Sequence, residues 1–390
     1  MRICHVAPEL LPVPPTRGGA IERWIRDAAG RLIARGHEVH VISRDHGDGV
    51  KFAMHDGVHH HFVHIPGAID EGRRAALARG PWYYSLAQRE VARIKPDVVH
   101  HHSRPAVLWL SRAVSSVPQV ISLHSMDYGW GFGYRGWDRP LFSRGLTSAA
   151  RVLCVSDFIR RHTVERYPAC EATATTLYNG VDGRLFCPRP DGPASPAAPT
   201  ILYVGRVESR KGVIVLVEAF ERWISPRLPA ARLQIVGPHS YWDRQPSAYY
   251  TELLGRCQAN PKIDLRGPTY VDGELAEIYR SATVSVVPST FPEALGLTAI
   301  EAQASGVPVV VSDSGGLPET VSPGHSGLVF PNHDAEQLAN AVIGLLTDEP
   351  RRLAMAAAAR EWAMRVFSWD VIADQLDAVY SAAVQGAPHS

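Results

Sequence analysis

Two carboxylates, Glu293 and Glu301, stand eight residues apart in VPSTFPEALGLTAIEA, an apolar stretch from Val287 to Ala302 broken by proline and glycine. Ionised groups beside such a segment need compensation from partners. Pro292 and Gly296 hold the first glutamate in a loop, and LTAIEAQASG reads as a buried helix ending near Gly306. Glu301 then falls about six residues inside, so the carboxylates are expected on the order of 10 Å apart along the axis. That separation suits a diphosphate carrying a hydroxylated group at each end. One carboxylate would accept hydrogen bonds from a sugar and the other from a ribose, while the N–H groups of Ala294, Leu295, Gly296 and Leu297 and the helix dipole face the phosphates. A plain reading, with Glu301 capping or ion-paired, stands beside it.

A second group of charges has matching chemistry. GRVESRKG places Arg206 and Lys211 five residues apart around a turn that follows an apolar run and precedes Gly212 and a helix. An arginine fork and a lysine point charge suit a diphosphate; a solvated turn would look the same. Near the N-terminus, PTRGGAIE puts Gly18 and Gly19 between a strand and a helix, where backbone can approach an anion at a helix start or merely make the turn. His124, in ISLHSMD, follows another apolar run and reads either as a site group or as a strand-end core histidine.

These residues need scaffolds. RICHVAPE, HEVHVISR, DVVHHHS, PQVISLHS and RVLCVSD are strand-like, and AIERWIRDAAGRLIARG carries Ile21, Trp24, Ile25, Ala28, Leu32 and Ile33 at helical spacing with Gly36 as its stop. This alternation predicts a parallel sheet with helices on both faces over 1–187. Residues 188–199, proline-rich and aperiodic, read as a linker. The pattern restarts over 200–367 with TILYVGR, ARLQIVG, KIDLRG, ATVSVVPS, PVVVSDSGG and SGLVF. Residues 368–390 carry a last helix behind Ser368, with Trp369, Ile372, Ala373, Leu376, Val379, Tyr380 and Ala383 on one face. Ligands of open parallel sheets bind beyond the strands' carboxyl ends, and two such domains can turn those ends toward each other across a cleft.

Composition narrows the partners. Forty basic residues against thirty-nine acidic ones give a net charge of +1, so no sequence-wide field favours nucleic acid or an anionic membrane. Five scattered cysteines without a C-x-x-C pair argue against a disulfide framework and a zinc site, and the N-terminus lacks a signal pattern, so a cytoplasmic protein is expected. HHHF at His59–Phe62 and HHHS at His100–Ser103 do not suggest a metal, because adjacent histidines on a strand alternate faces.

The E-x7-E pair, GRVESRKG, the N-terminal Gly-Gly and SDSGGLPE (Ser312 to Glu319) together resemble the retaining GT-B glycosyltransferases of family 4, and APELLPVPPTRGGAI is similar to its spore-coat branch. The resemblance spans nearly the whole chain and implies an α/β fold of two Rossmann-like domains, with the final helix crossing back to the first. It implies that Arg206 and Lys211 bind the diphosphate, Gly19 a phosphate, Glu293 the donor sugar, Glu301 the ribose, and that His124 lies near the donor sugar. Leu295 and Thr298 depart from the residues family members commonly carry there. The implied reaction moves a hexose-type sugar, glucose or N-acetylglucosamine, from a nucleotide donor, UDP first, to an acceptor hydroxyl with an α-linkage. The acceptor is a small molecule, a lipid-linked group or a glycan. No D-x-D occurs, so no metal and no other cofactor is expected. A homodimer is left open, as is a structural coat-like protein that keeps the scaffold. HSMDYGWGFGYRGWD interleaves aromatics and glycines from Tyr128 to Trp137, either for acceptor stacking or for packing.

Overall fold

A computed structural model describes residues 1–15, 19–65, 80–126, 139–190, 198–239, 245–269 and 271–386. Gly18, most of the expected 188–199 linker and the aromatic stretch from Tyr128 to Trp137 lie outside them. The chain forms two compact units, Met1–Asn179 with Trp369–Ser390, and Gly180–Ser368. Each is an α/β sheet sandwich of Rossmann type, as the alternating pattern predicts.

The N-terminal unit contains strands β1 (Arg2–Val6), β2 (Glu38–Arg44), β3 (Phe52–His55), β4 (Val58–Val63), β5 (Val98–His102), β6 (Gln119–Leu123), β7 (Arg151–Cys154) and β8 (Ala174–Thr176). They line up as β3-β4-β2-β1-β5-β6-β7-β8. All neighbours are parallel except β3, which pairs antiparallel with β4. That edge hairpin turns at Asp56 and Gly57, both with positive φ, and the Asp-Gly dipeptide is its sequence signal. Helices α1 (Ala20–Ala34), α2 (Gly80–Ile94), α3 (Pro105–Val114), α4 (Arg139–Ser148) and α5 (Asp157–Arg166) connect the strands. The apolar stripe read from the sequence buries Trp24, Ile25, Ala28 and Leu32 of α1 against Ile3, Val39, Val98 and Val120 of the sheet.

The C-terminal unit runs β9 (Thr200–Val204), β10 (Arg232–Val236), β11 (Ile263–Arg266), β12 (Val284–Val287), β13 (Val309–Ser312) and β14 (Gly327–Phe330), in the order β11-β10-β9-β12-β13-β14 and parallel throughout. The strand order reverses between β9 and β12, the position where open sheets of this topology take ligands. Its helices include α6 (Val213–Ala219), prolonged by a π turn at Phe220–Ile224, then α7 (Ala248–Ala259), α8 (Asp272–Arg280), α9 (Leu297–Ala304), α10 (Ala335–Thr347) and α11 (Glu349–Phe367). Residues 180–187 are tied into this unit: Arg360 of α11 donates to the carbonyls of Gly183 at 2.9 Å and Phe186 at 2.7 Å. The last helix, α12 (Trp369–Gln385), belongs to the N-terminal unit and buries Trp369, Ile372, Leu376 and Tyr380 there. Arg35 and His37 anchor it through Asp374 at 2.8 Å and Asp377 at 2.7 Å.

Three strand-end loops of the C-terminal unit interlock through glycines. Gly212, at φ 66°, lies directly over the Pro288 carbonyl, and Gly315, at φ 65°, lies against the backbone of Glu293. The loop after β13 also sends the Gly316 N–H to the Glu293 carbonyl at 2.8 Å and the Ser312 hydroxyl to the Ser289 carbonyl at 2.7 Å. Gly315→Ala combines a left-handed φ with a backbone collision, so it should lower the urea stability of this unit by at least ~2 kcal/mol. Gly255→Ala, exposed in α7 with open space around it, should raise stability by ~0.5–1 kcal/mol. Denaturation of both variants checks the pair.

Candidate active site

The carboxyl ends of β9 and β12 gather the predicted charges. After β9 the chain passes Gly205 and Arg206 and makes a 3-10 turn at Ser209–Lys211 before α6. Buried Tyr203 fixes its start by donating to the Arg206 carbonyl at 2.7 Å. The N–H groups of Thr290 and Phe291, after β12, donate to the Arg210 carbonyl at 3.0 and 3.2 Å. With the two loops clamped, Lys211 Nζ donates to Glu293 Oε1 at 2.5 Å, and the Ser289 hydroxyl donates to the same oxygen at 2.5 Å.

Burial alone would push the Glu293 carboxyl up. Lys211 beside it, the hydrogen bonds from Lys211 and Ser289, and the charge of Arg206 outweigh that and hold it below its ordinary value. Arg206 also pairs with Glu208 at 2.6 Å, and Arg210 grips the other Glu208 oxygen at 2.7 Å. Arg206, Lys211 and Glu293 therefore form one electrostatic group, mostly enclosed but reached by solvent.

Helix α9 starts at Leu297, after Gly296 with φ 114°. The Ala299 N–H is taken by the Gly296 carbonyl at 3.0 Å, while the N–H groups of Leu297 and Thr298 have no acceptor within the helix. Leu295 is buried. Glu301 lies about 6 Å along the axis from the helix start. It is almost fully buried, and Tyr279 of α8 donates to it at 3.0 Å. Sequence reasoning missed Ser289 and Tyr279, ordinary residues at a strand end and a helix end, and it gave Gly315 of the SDSGGLPE motif no role; all three are recognisable only once the loops are seen to meet.

In the N-terminal unit Gly19 caps α1 with φ 151°. The space beside it holds the Glu22 carboxyl, 2.5 Å from where a Cβ would stand. Burial raises that carboxyl to about 7, with the Glu9 charge adding to the rise against a backbone hydrogen bond. Glu9 is itself buried, bound by Arg104 at 2.8 Å and by the Tyr84 hydroxyl at 2.9 Å. His124 follows β6 and shares a hydrogen bond with His102 at 3.0 Å.

Alternation does separate neighbouring histidines, but it brings His100 and His102 to one face, where His5 of β1 joins them. The expectation that the histidine runs do not converge is corrected on this point. The group is still poorly shaped for a cation: both His100 nitrogens are engaged, with Tyr380 at 2.7 Å and Ser122 at 2.8 Å. Glu38, His40 and His59 also come together, yet the His40 and His59 rings lie only 16° apart, and Arg2 occupies a Glu38 oxygen at 2.9 Å. In-plane lone pairs of parallel rings do not meet at one point.

The profile of the family described as Glycosyl transferases group 1 matches residues 189–362, and that of Glycosyltransferase Family 4 matches 18–185. D-inositol 3-phosphate glycosyltransferase of Stackebrandtia nassauensis is 30% identical, aligned over 98% of this chain and 90% of its own. The chain belongs to the family 4 glycosyltransferases. Spore coat protein SA of Bacillus subtilis is 28% identical over 97% of this glycosyltransferase and 99% of its own chain. Among solved structures, sucrose-phosphate synthase from Thermosynechococcus elongatus shares the GT-B fold with a TM-score of 0.81 at 24% identity, covering 97% of this chain and 98% of that one. No helix among the described residues is long and apolar enough to cross a membrane.

Two measurements probe these charges. Removing Lys211 leaves only Ser289 and Arg206 to oppose burial at Glu293, so the acid limb of kcat/KM in Lys211→Ala should move to higher pH; a limb that stays in place would show that Lys211 does not hold the carboxylate ionised. Glu22 has the opposite sign. Its folded value of about 7 lies above its ordinary 4.5, so its contribution is fully present below about pH 4.5 and is lost as pH rises toward 7. The stability of Glu22→Gln relative to the parent should therefore rise by roughly 3 kcal/mol from about pH 4.5 to about pH 8, read from urea midpoints at both.

Proposed function

We propose that this glycosyltransferase moves a hexose-type sugar, glucose or N-acetylglucosamine, from a UDP-sugar to an acceptor hydroxyl with retention, giving an α-linkage. The observation that carries the reading is the Lys211–Ser289–Glu293 cluster at the reversal of strand order, with the charge of Arg206 acting on Glu293 and α9 starting at Leu297 just after it. Charge grows on a diphosphate as it leaves, and Arg206, Lys211 and a helix N-terminus are the groups that stabilise such charge. Glu293 would grip sugar hydroxyls and Glu301 the ribose; Gly19, through the family resemblance, and Gly18 beside it in sequence would meet phosphate.

Retention is what the family resemblance implies, and two routes lead to it. Double displacement needs a carboxylate on the face of the sugar opposite the leaving group. Glu293 issues from the loop that leads into the start of α9, whose N–H groups are proposed to face the diphosphate, and is already paired with Lys211, so it approaches from the phosphate side. Front-face substitution remains: the acceptor oxygen enters on the side from which the diphosphate leaves, a donor phosphate oxygen takes the acceptor's proton, and His124 orients the sugar. The acceptor is a small molecule, a lipid-linked group or a glycan. The chemistry asks for no metal, because side-chain cations and the helix start supply the positive charge.

The coat-protein likeness supports a second reading, a scaffold that has kept the fold. Four charged groups arranged at the strand ends have no evident use in a scaffold. A panel of UDP-, ADP- and GDP-sugars tested for transfer and for hydrolysis, with and without EDTA, separates the two. The expected outcome is turnover of a UDP-hexose that survives EDTA and gives an α-product by NMR. A β-product, a sugar trapped on Glu293 or an absolute need for added Mg²⁺ would overturn the mechanism, and inertness toward the whole panel would favour the scaffold.

A further inference from the structure

Three histidines from adjacent strands of the N-terminal unit form a chain. His5 Nδ1 lies 3.1 Å from His102 Nε2, and His102 Nδ1 lies 3.0 Å from His124 Nε2. Ring centroids are 5.4 and 5.3 Å apart with planes only 22° and 24° from parallel. Two imidazoles joined nitrogen to nitrogen in one plane have centroids ~5.3 Å apart, so these rings meet edge to edge along their hydrogen bonds rather than face to face. His100 does stack on His102, at 4.3 Å, and the indole of Trp24 packs against His102 and His124 at 5.1 and 5.7 Å. The inner end is closed: His5 is fully buried and its Nε2 has no hydrogen-bond partner. The outer end, His124, is half-buried.

Burial lowers His5 and His124 to about 3, and it lowers His102 well below its ordinary value with help from the neighbouring histidines, so the chain is neutral at pH 7. A neutral chain of three imidazoles carries three N–H groups. Two fill the two hydrogen bonds, and the third must sit at one end. At the inner end it would be a buried donor without an acceptor, the rarest kind of unsatisfied group, whereas at the outer end it can reach solvent or ligand.

We infer that His5 and His102 are positioning residues that fix His124 as the Nδ1–H tautomer, so that it presents a hydrogen-bond donor, not a base, at its outer nitrogen. His5 Nδ1–H donates to His102, His102 Nδ1–H donates to His124, and His124 Nδ1–H is left to donate outward. In the proposed reaction this suits a contact to a hydroxyl oxygen of the donor sugar and excludes His124 from accepting the acceptor's proton. The assignment of His124 to the sugar rests on the proposed function; its tautomer does not.

The test uses the ligand-free, ¹⁵N-histidine-labelled protein, with His124 signals assigned by their loss in His124→Asn. Long-range ¹H–¹⁵N correlation is expected to show a protonated Nδ1 and a bare Nε2 on His124, and His5→Phe, which keeps a ring against Trp24, is expected to shift both nitrogens toward averaged values. A protonated Nε2 in the parent protein overturns the inference even if His5→Phe fails to fold, as do unchanged His124 signals in a folded His5→Phe. In turnover, His5→Phe should lose on the order of tenfold in kcat with donor KM changed less than about twofold, as for a lost orienting partner. His124 signals that ignore a saturating donor would count against its place at the sugar while leaving the tautomer as measured.

Discussion

The C-terminal unit depends on keeping Glu293 ionised in a mostly enclosed place. A carboxylate there costs several kcal/mol unless it is paired and hydrogen-bonded. Lys211 and Ser289 provide that, but only because the loop after β9 and the loop after β12 are locked together by Gly212 over Pro288 and by the Arg210 carbonyl. The third loop, with Gly315 against the Glu293 backbone, closes the arrangement from the β13 side. The glycines are thus part of the electrostatics: without their close approaches the charges would be exposed neighbours worth little.

The two units treat titratable groups in opposite ways. In the C-terminal unit charges are preserved by partners, so Lys211, Arg206, Glu208 and Glu293 form a compensated set. In the N-terminal unit they are largely suppressed by burial: His5, His100, His101, His102 and His124 are pushed toward neutrality, and Glu22 titrates near 7. The buried Glu9–Arg104 pair is the counter-example, and it coincides with left-handed backbone at Ser103 and Arg104. Two successive residues in that region are sustained only where surroundings over-determine them, and Glu9 with Tyr84 does so here.

Much of this was readable in the sequence because the signals were local. The stripe from Ile21 to Ile33, the apolar runs of both sheets and the face of the last helix each match an observed element. Arg206, Lys211 and Glu293 were legible as a set because strand ends in open sheets face one way. The partners were not legible. Ser289 and Tyr279 become informative only through contacts 4 and 22 residues away in sequence, made by a tertiary fold. The first sheet's antiparallel edge has only the Asp56–Gly57 dipeptide as its sequence signal, because the histidine-rich run after it lacks the apolar alternation that marks the other strands.

The histidines show why spacing rules need the sheet before they can be applied. Reading His100, His101 and His102 as alternating faces is right for each neighbouring pair, yet the next strand is as close as the next-but-one residue. Parallel pairing sets His5 opposite His100 and His102 opposite Ser122, so one face receives side chains from β1, β5 and the end of β6. A run that disperses along the chain therefore converges across it. Once converged in a dry interior, the rings cannot ionise together and satisfy one another by sharing protons along a line. Order in such a line is set at its closed end, where the unpartnered nitrogen of His5 tolerates a lone pair better than a proton, and its consequence emerges at the open end, on His124.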